Sequence, residues 1–283
     1  MSWTADLTER VVKAIPGGYA AGGPVASEPM AWAAVCLAER GRVREARLAG
    51  DWLAKTQARD GSVGVTGQEP TPAWPTGLAM LAWRSVEAVL HKAVYQDNIR
   101  RAADWALAAE GRTVERKRQI GHDTTIVGWS WAADTHSWLE PTAFFVKALT
   151  RIGYGDHPRV QDGVRLLVDR LLPAGGANYG NTIVLGQELL AHVQPTGIAL
   201  WALAETPAQS PLIEKAIEFL DASVSADTTT ASLSYAVLGL TAQGRRPAAA
   251  DAWLHAACDR ELSRATNLYK LALLANASPA STT

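Results

Sequence analysis

Residues 121 to 149 read GHDTTIVGWSWAADTHSWLEPTAFFVKAL. The first two thirds are polar and turn-rich, with Trp129, Trp131 and Trp138, His122 and His136, and the acids Asp123, Asp134 and Glu140. From Glu140 the character changes to Pro141, Thr142 and Ala143, followed by apolar residues up to Leu149. A proline in the first turn and an apolar run without a polar stripe predict a helix buried on most sides, ending at Gly153.

Pro141 aligns with Pro29, Pro75 and Pro195. Two positions on stand Ala31, Gly77, Ala143 and Gly197, and seven on stand Cys36, Ala82, Ala148 and Ala202, so small residues recur where tightly packed helices need close neighbours. Thr76, Thr142 and Thr196 follow three of the prolines, and Thr230-Ala231 with Ala236 continues the register without one. Between these apolar segments lie one-sided amphipathic ones at 43–57, 98–109, 158–172, 213–223 and 248–262. A first helix at 3–14 and a last apolar helix over about Ala265 to Leu274 complete the set. The unit is a helical hairpin of about 40 to 65 residues. Pairing the first helix with the last gives six inner and six outer helices, an all-α ring of two layers in a single domain spanning 1–283. An open solenoid needs polar end caps, and Leu268, Leu271, Leu273 and Leu274 show no such cap.

Composition narrows the partners. With 48% hydrophobic residues, 19% charged and a net charge of -1, no whole-chain attraction to nucleic acid is expected. Arg112, Arg116, Lys117 and Arg118 read as a solvated turn. Cys36 and Cys258 are too far apart in Ala-rich helices to suggest a disulfide framework or a zinc site, and read as small core residues. The first ten residues carry acids and no apolar run, unlike a signal peptide. The longest apolar stretch, 31–38, falls far short of the roughly 20 residues that span a bilayer. A cytoplasmic protein without a transmembrane segment is expected, with peripheral membrane contact left open.

Residues 50 to 63, GDWLAKTQARDGSV, resemble the repeat of squalene cyclases in which an aromatic residue and Leu are followed by Gln, Gly and Trp, although Val63 stands at the final tryptophan. With the alternating helices, the chain resembles the α/α toroid superfamily of terpenoid cyclases and protein prenyltransferase β subunits. The resemblance implies an α/α toroid whose central cavity binds an isoprenoid or other hydrophobic substrate, with transformation in the cyclase manner as the enzymatic form of that expectation. Laid on the cyclase acid motif Asp-x-Asp-Asp-Thr-Ala, residues 138 to 143 match at Thr142 and Ala143, and Glu140 falls on the proton-donor position. Trp138 and Pro141 replace the other two acids. The Asp-x-Cys context of the prenyltransferase zinc site is missing, so no metal and no cofactor is expected.

The residues just before each proline form a ring if the inner helices run the same way: Glu28, Trp74, Glu140, Gln194 and Thr228. As candidate catalytic groups we take Glu140, Asp134 and His136. Trp74, Trp129, Trp131, Trp138, Glu28, Gln194 and Tyr179 are candidate substrate contacts. The bland reading is that Glu28 and Glu140 cap helices and that tryptophans fill gaps between layers. Glu188 and His192, four apart, share a face if their segment is helical. Three functions fit: an isoprenoid enzyme, a non-catalytic toroid that binds a lipid or a protein partner, and a carbohydrate-active α/α barrel using Asp134 and Glu140 as paired carboxylates.

Overall fold

The computed structural model describes residues 2–263 and 267–280. Twelve α-helices lie among the described residues: α1 (Trp3–Ala14), α2 (Ser27–Glu39), α3 (Val43–Thr56), α4 (Thr76–Leu90), α5 (Gln96–Ala108), α6 (Leu139–Leu149), α7 (Pro158–Asp169), α8 (Val193–Leu203), α9 (Pro211–Ser223), α10 (Thr230–Ala242), α11 (Ala250–Leu262) and α12 (Leu268–Ala277). Local chemistry accounts for many of their ends. Side chains of Ser2, His157, Ser210 and Asn267 accept first-turn N–H groups of α1, α7, α9 and α12, and α7 and α9 open on a proline. α6 runs into a π turn, Thr150–Tyr154, which ends through Gly153 at φ +96°. The expected start of the last helix at Ala265 lies outside the described residues.

One expectation is corrected. The segment holding Glu188 is not helical but a hairpin, β1 (Ile183–Val184) against β2 (Gln187–Glu188). Leu185 and Gly186 form its turn, both with positive φ. His192 is the cap residue of α8, so Glu188 and His192 share no helix face.

Contacts divide the chain into two compact units. The first comprises Met1–Ala106, Thr229–Ser234 and Asp251–Thr283, and the second Leu107–Thr228 and Tyr235–Ala250. In the first, α2 packs against α3, α4 and α12, and α1 lies on α12. Eleven of the 13 residues of α2 are buried, whereas α3 buries only Ala46, Ala49, Gly50 and Leu53, a single stripe at helical spacing. Cys36 is among the buried residues, as is Cys258 of α11, and burial pushes their thiols up to about 12 and about 11.

In the second unit α6 packs against α7 and α8, and α8 against α9. All eleven residues of α6 are buried. Gly197 of α8 and Gly239 of α10 let two helix backbones touch: a Cβ at Gly197 would stand 2.5 Å from the Tyr235 carbonyl oxygen, and one at Gly239 would meet the Gly197 carbonyl. The small residue two positions after Pro195 therefore has a packing cause. No helix among the described residues is long and apolar enough to cross a membrane.

The recurring threonines have one cause in both units. Thr76 Oγ1 accepts the Val63 N–H at 2.8 Å, Thr142 Oγ1 accepts the Trp129 N–H at 2.9 Å, and Thr196 Oγ1 accepts the Ala177 N–H at 2.8 Å. All three threonines are fully buried. Each hydroxyl clasps the chain segment that leads toward its own helix and satisfies an N–H that water cannot reach. Thr196→Val keeps the side chain's shape but strands the Ala177 N–H, so we expect a loss of ~1–3 kcal/mol in urea-unfolding free energy. A midpoint equal to that of the wild type would show that water or a backbone shift replaces the clasp.

Candidate functional site

Three of the candidate residues stand in the first turn of a helix. Glu28, Glu140 and Gln194 are each the second residue of α2, α6 and α8. Unpaired N–H groups there give a partial positive charge that favours a carboxylate. Tyr269 holds the same place in α12, a position the register could have revealed but that carries no proline.

In the second unit Glu140 and Gln194 meet. Glu140 is 6% exposed, and its Oε1 accepts a hydrogen bond from Gln194 Nε2 at 3.2 Å. The loop from 128 to 138 reaches this point through paired backbone. The Trp138 N–H donates to the Trp129 carbonyl at 2.9 Å, and the Leu139 N–H donates to the Tyr179 carbonyl at 3.1 Å. Gly180 faces Trp138 so closely that a Cβ there would lie 3.4 Å from its Cα. Two ring pairs involve the cap residues of these helices, Trp138 of α6 and His192 of α8. His136 lies on Trp138 with centroids 4.4 Å apart, and Tyr179 on His192 at 5.2 Å. His136 is exposed, Trp138 and Trp131 are half-buried, and Tyr179 is 41% exposed. His192 was not anticipated as a ring partner, because its sequence neighbourhood marks it only as the residue before a helix.

Two candidates sit differently from the rest. Asp134 is exposed in a turn at φ +61°. Trp129 is 2% exposed, stacked on Phe145 at 5.2 Å and covered by the Arg159 guanidinium at 3.7 Å. It is a packing residue, so its ring is not open to a ligand. Arg159 also donates to the carbonyls of Ala109, Val127 and Gly128, which fixes the loop over it. Burial lowers its guanidinium to about 10.

In the first unit Glu28 is buried and accepts from the Tyr19 hydroxyl at 2.5 Å, while Tyr19 meets Tyr269 edge-on at 5.3 Å. Burial and the neighbouring Glu28 carboxylate raise the Tyr19 phenol well above its ordinary value. Trp74 is half-buried in the turn that precedes α4. Among the described residues no group of three His, Cys, Asp or Glu side chains could hold a metal ion.

Further titratable groups lie apart from Glu140. Lys147, seven residues along α6 and so ~10 Å from Glu140 along the helix axis, is buried and donates to the Trp201 carbonyl at 2.9 Å. It also pairs with Glu205 at 3.1 Å. Burial outweighs that pairing and lowers its ammonium to about 8. His122 is buried, with its Nδ1 accepting the Thr182 N–H at 3.3 Å, which leaves the proton of the neutral ring on Nε2. Burial first, then the Arg170 charge, lowers its pKa to about 4.

Solved structures share this architecture. A protein from Actinoplanes matches with a TM-score of 0.63 and 16% identity over 97% of this chain and 98% of its own. An alpha-amylase from Clostridium perfringens matches with 0.61 and 9% identity over 97% and 96%. An endo-beta-1,4-glucanase from Acetobacter xylinum matches with 0.59 and 13% identity over 97% of each chain. No protein-family profile and no curated sequence matches the chain. The structural neighbours are α/α toroid proteins, and none of these three is a squalene cyclase or a prenyltransferase. At such identities the likeness is one of fold, so the expected terpenoid-cyclase kinship narrows to the toroid architecture.

The buried imidazole gives the site region a pH signature. Unfolded, His122 takes a proton below about 6.5, whereas folded it does so only below about 4. Between these values the unfolded state holds more protons, so stability falls as the pH drops through this window. In urea titrations from pH 7 to 4, His122→Asn should flatten that decline by roughly 2 kcal/mol. An unchanged slope would place the decline on other groups.

Proposed function

We propose that the second unit carries a carbohydrate-active site at the N-terminal ends of α6 and α8, with Glu140 as its acid. The observation that carries this reading is the Glu140–Gln194 hydrogen bond at 3.2 Å, beside ring pairs that are partly open to solvent. Glycosidic bonds break between two carboxyl groups, one giving a proton to the leaving oxygen and the other acting on the opposite face. Glu140 takes the first role, oriented by the Gln194 amide. Asp134 takes the second, drawing a proton from the water that attacks the anomeric carbon while the leaving sugar departs as an alcohol. Trp138, Trp131 and Tyr179 supply faces on which sugar rings stack, and His136 backs Trp138. The alpha-amylase and the endoglucanase among the structural neighbours favour this assignment over the others.

An isoprenoid or other hydrophobic ligand is the second reading, because the same ring faces stabilise cations by roughly 0.5–2 kcal/mol each. It fits the half-exposed rings less well, since a carbocation needs a dry site. A toroid that binds without catalysis is the third.

Incubation with α- and β-linked glucans, with reducing-end assay, separates these readings. The wild type is expected to release sugar, and Glu140→Gln to lower the rate by about 100-fold or more at unchanged thermal midpoint. Turnover of farnesyl diphosphate or squalene with no glucan cleavage would favour the second reading. Glucan binding without cleavage would favour the third, and full activity of Glu140→Gln would remove Glu140 from the acid role.

A further inference from the structure

The second unit also holds a cavity of about 630 Å³, none of whose lining residues belongs to the site around Glu140. This volume lies in the ordinary range for small-ligand pockets, ~300–1,000 Å³. Gln161, Val164, Arg165 and Val168 line it from α7 with the spacing of one helix stripe, and Leu212 faces it from α9. Leu171 and Ile183 add further aliphatic wall, and Ile183 belongs to the β1–β2 hairpin.

The wall chemistry selects a ligand. No Trp, Tyr, Phe or His lines the cavity, so it offers no ring for a sugar to stack on. Branched aliphatic side chains suit an alkyl chain instead. The stripe from 161 to 168 spans ~10 Å of helix axis, the length of about eight methylenes.

The charged groups at the cavity differ in how far they are already occupied. Asp169 accepts the Asp123 N–H at 2.9 Å and pairs with Arg170, so its carboxylate is neutralised within the protein. Gln161 gives one of its two amide N–H groups to the Gly155 carbonyl at 2.7 Å. Arg165 pairs with Asp162 through one nitrogen, Nη2, and its side chain is 70% exposed. Its planar fork has five N–H donors, which leaves donors for a second carboxylate.

We propose that this groove between α7 and α9 binds an aliphatic carboxylate, with the alkyl chain along Val164 and Val168 and the carboxylate on Arg165. This inference is independent of the carbohydrate reading, because the two sites share no residue.

Isothermal titration of the full chain with decanoate and with decanol, below their aggregation thresholds, tests it. Wild type is expected to bind decanoate at one site and to bind decanol at least fivefold more weakly. Val168→Trp fills the groove from a half-buried position and is expected to weaken decanoate binding tenfold or more at an unchanged thermal midpoint. Arg165→Gln is expected to lose the preference for decanoate while still binding decanol. Absence of saturable decanoate binding to the wild type overturns the proposal. So does native affinity in a Val168→Trp protein that melts like the wild type, and so does equal affinity of the wild type for acid and alcohol. Should Val168→Trp fail to fold, the acid-to-alcohol ratio in Arg165→Gln decides alone, and an unchanged ratio overturns the proposal.

Discussion

A buried threonine hydroxyl that accepts a backbone N–H from upstream is the contact on which α4, α6 and α8 depend. Where the chain passes against a helix buried on every side, as Trp129 does against α6, that segment is cut off from water. Each N–H in that segment must find a partner inside the protein or cost about as much as a lost hydrogen bond. Thr76, Thr142 and Thr196 supply that partner, each as the residue that follows a proline. Neighbouring glycines share the pattern. Gly61 and Gly175, each two residues before a clasped N–H, have positive φ, and a Cβ on either would strike a carbonyl, that of Arg101 or of Lys215. The clasp and the glycine together set the path of the chain into the helix that follows.

Once the helices are held in this way, their first turns become the natural place for chemistry. The two units handle the same position differently. In the first, a phenol donates to Glu28, and burial together with that carboxylate makes the Tyr19 proton hard to remove. In the second, an amide donates to Glu140, and an amide does not ionise at ordinary pH. Glu140 is therefore oriented without being coupled to a second titrating group through that bond.

Much of the fold could be read from the chain because burial on all sides leaves a compositional trace. Proline, a small residue two on and an unbroken apolar run mark α2, α6 and α8, and one-sided stripes mark α3, α7 and α9. The β1–β2 hairpin was less legible: a spacing of four between Glu188 and His192 mimics a helix face, while its turn relies on positive φ at Leu185 as well as Gly186. The site was harder to read than the fold. Trp129 lies in a loop, which suggested an open ring, yet its N–H is a clasp donor in the place of Val63 and Ala177, which puts the side chain inside. The aromatic residue absent at Val63 from the repeat motif thus stands at the matching position of the next clasp. The pairing of Tyr179 with His192, and of Glu140 with Gln194, joins residues 13 and 54 apart, a separation that no local pattern encodes.

The three clasps close loops of different length. Thirteen residues separate donor and acceptor in the first two, and nineteen in the third, where the β1–β2 hairpin occupies the interval. Because the bond fixes both ends of each loop, the chain between them can lengthen at little entropic cost, which grows only logarithmically with loop size. Each clasp is thus an insertion port: new surface can be grafted between donor and threonine while the helix behind it keeps its place. The hairpin whose Ile183 lines the cavity is what such a graft looks like.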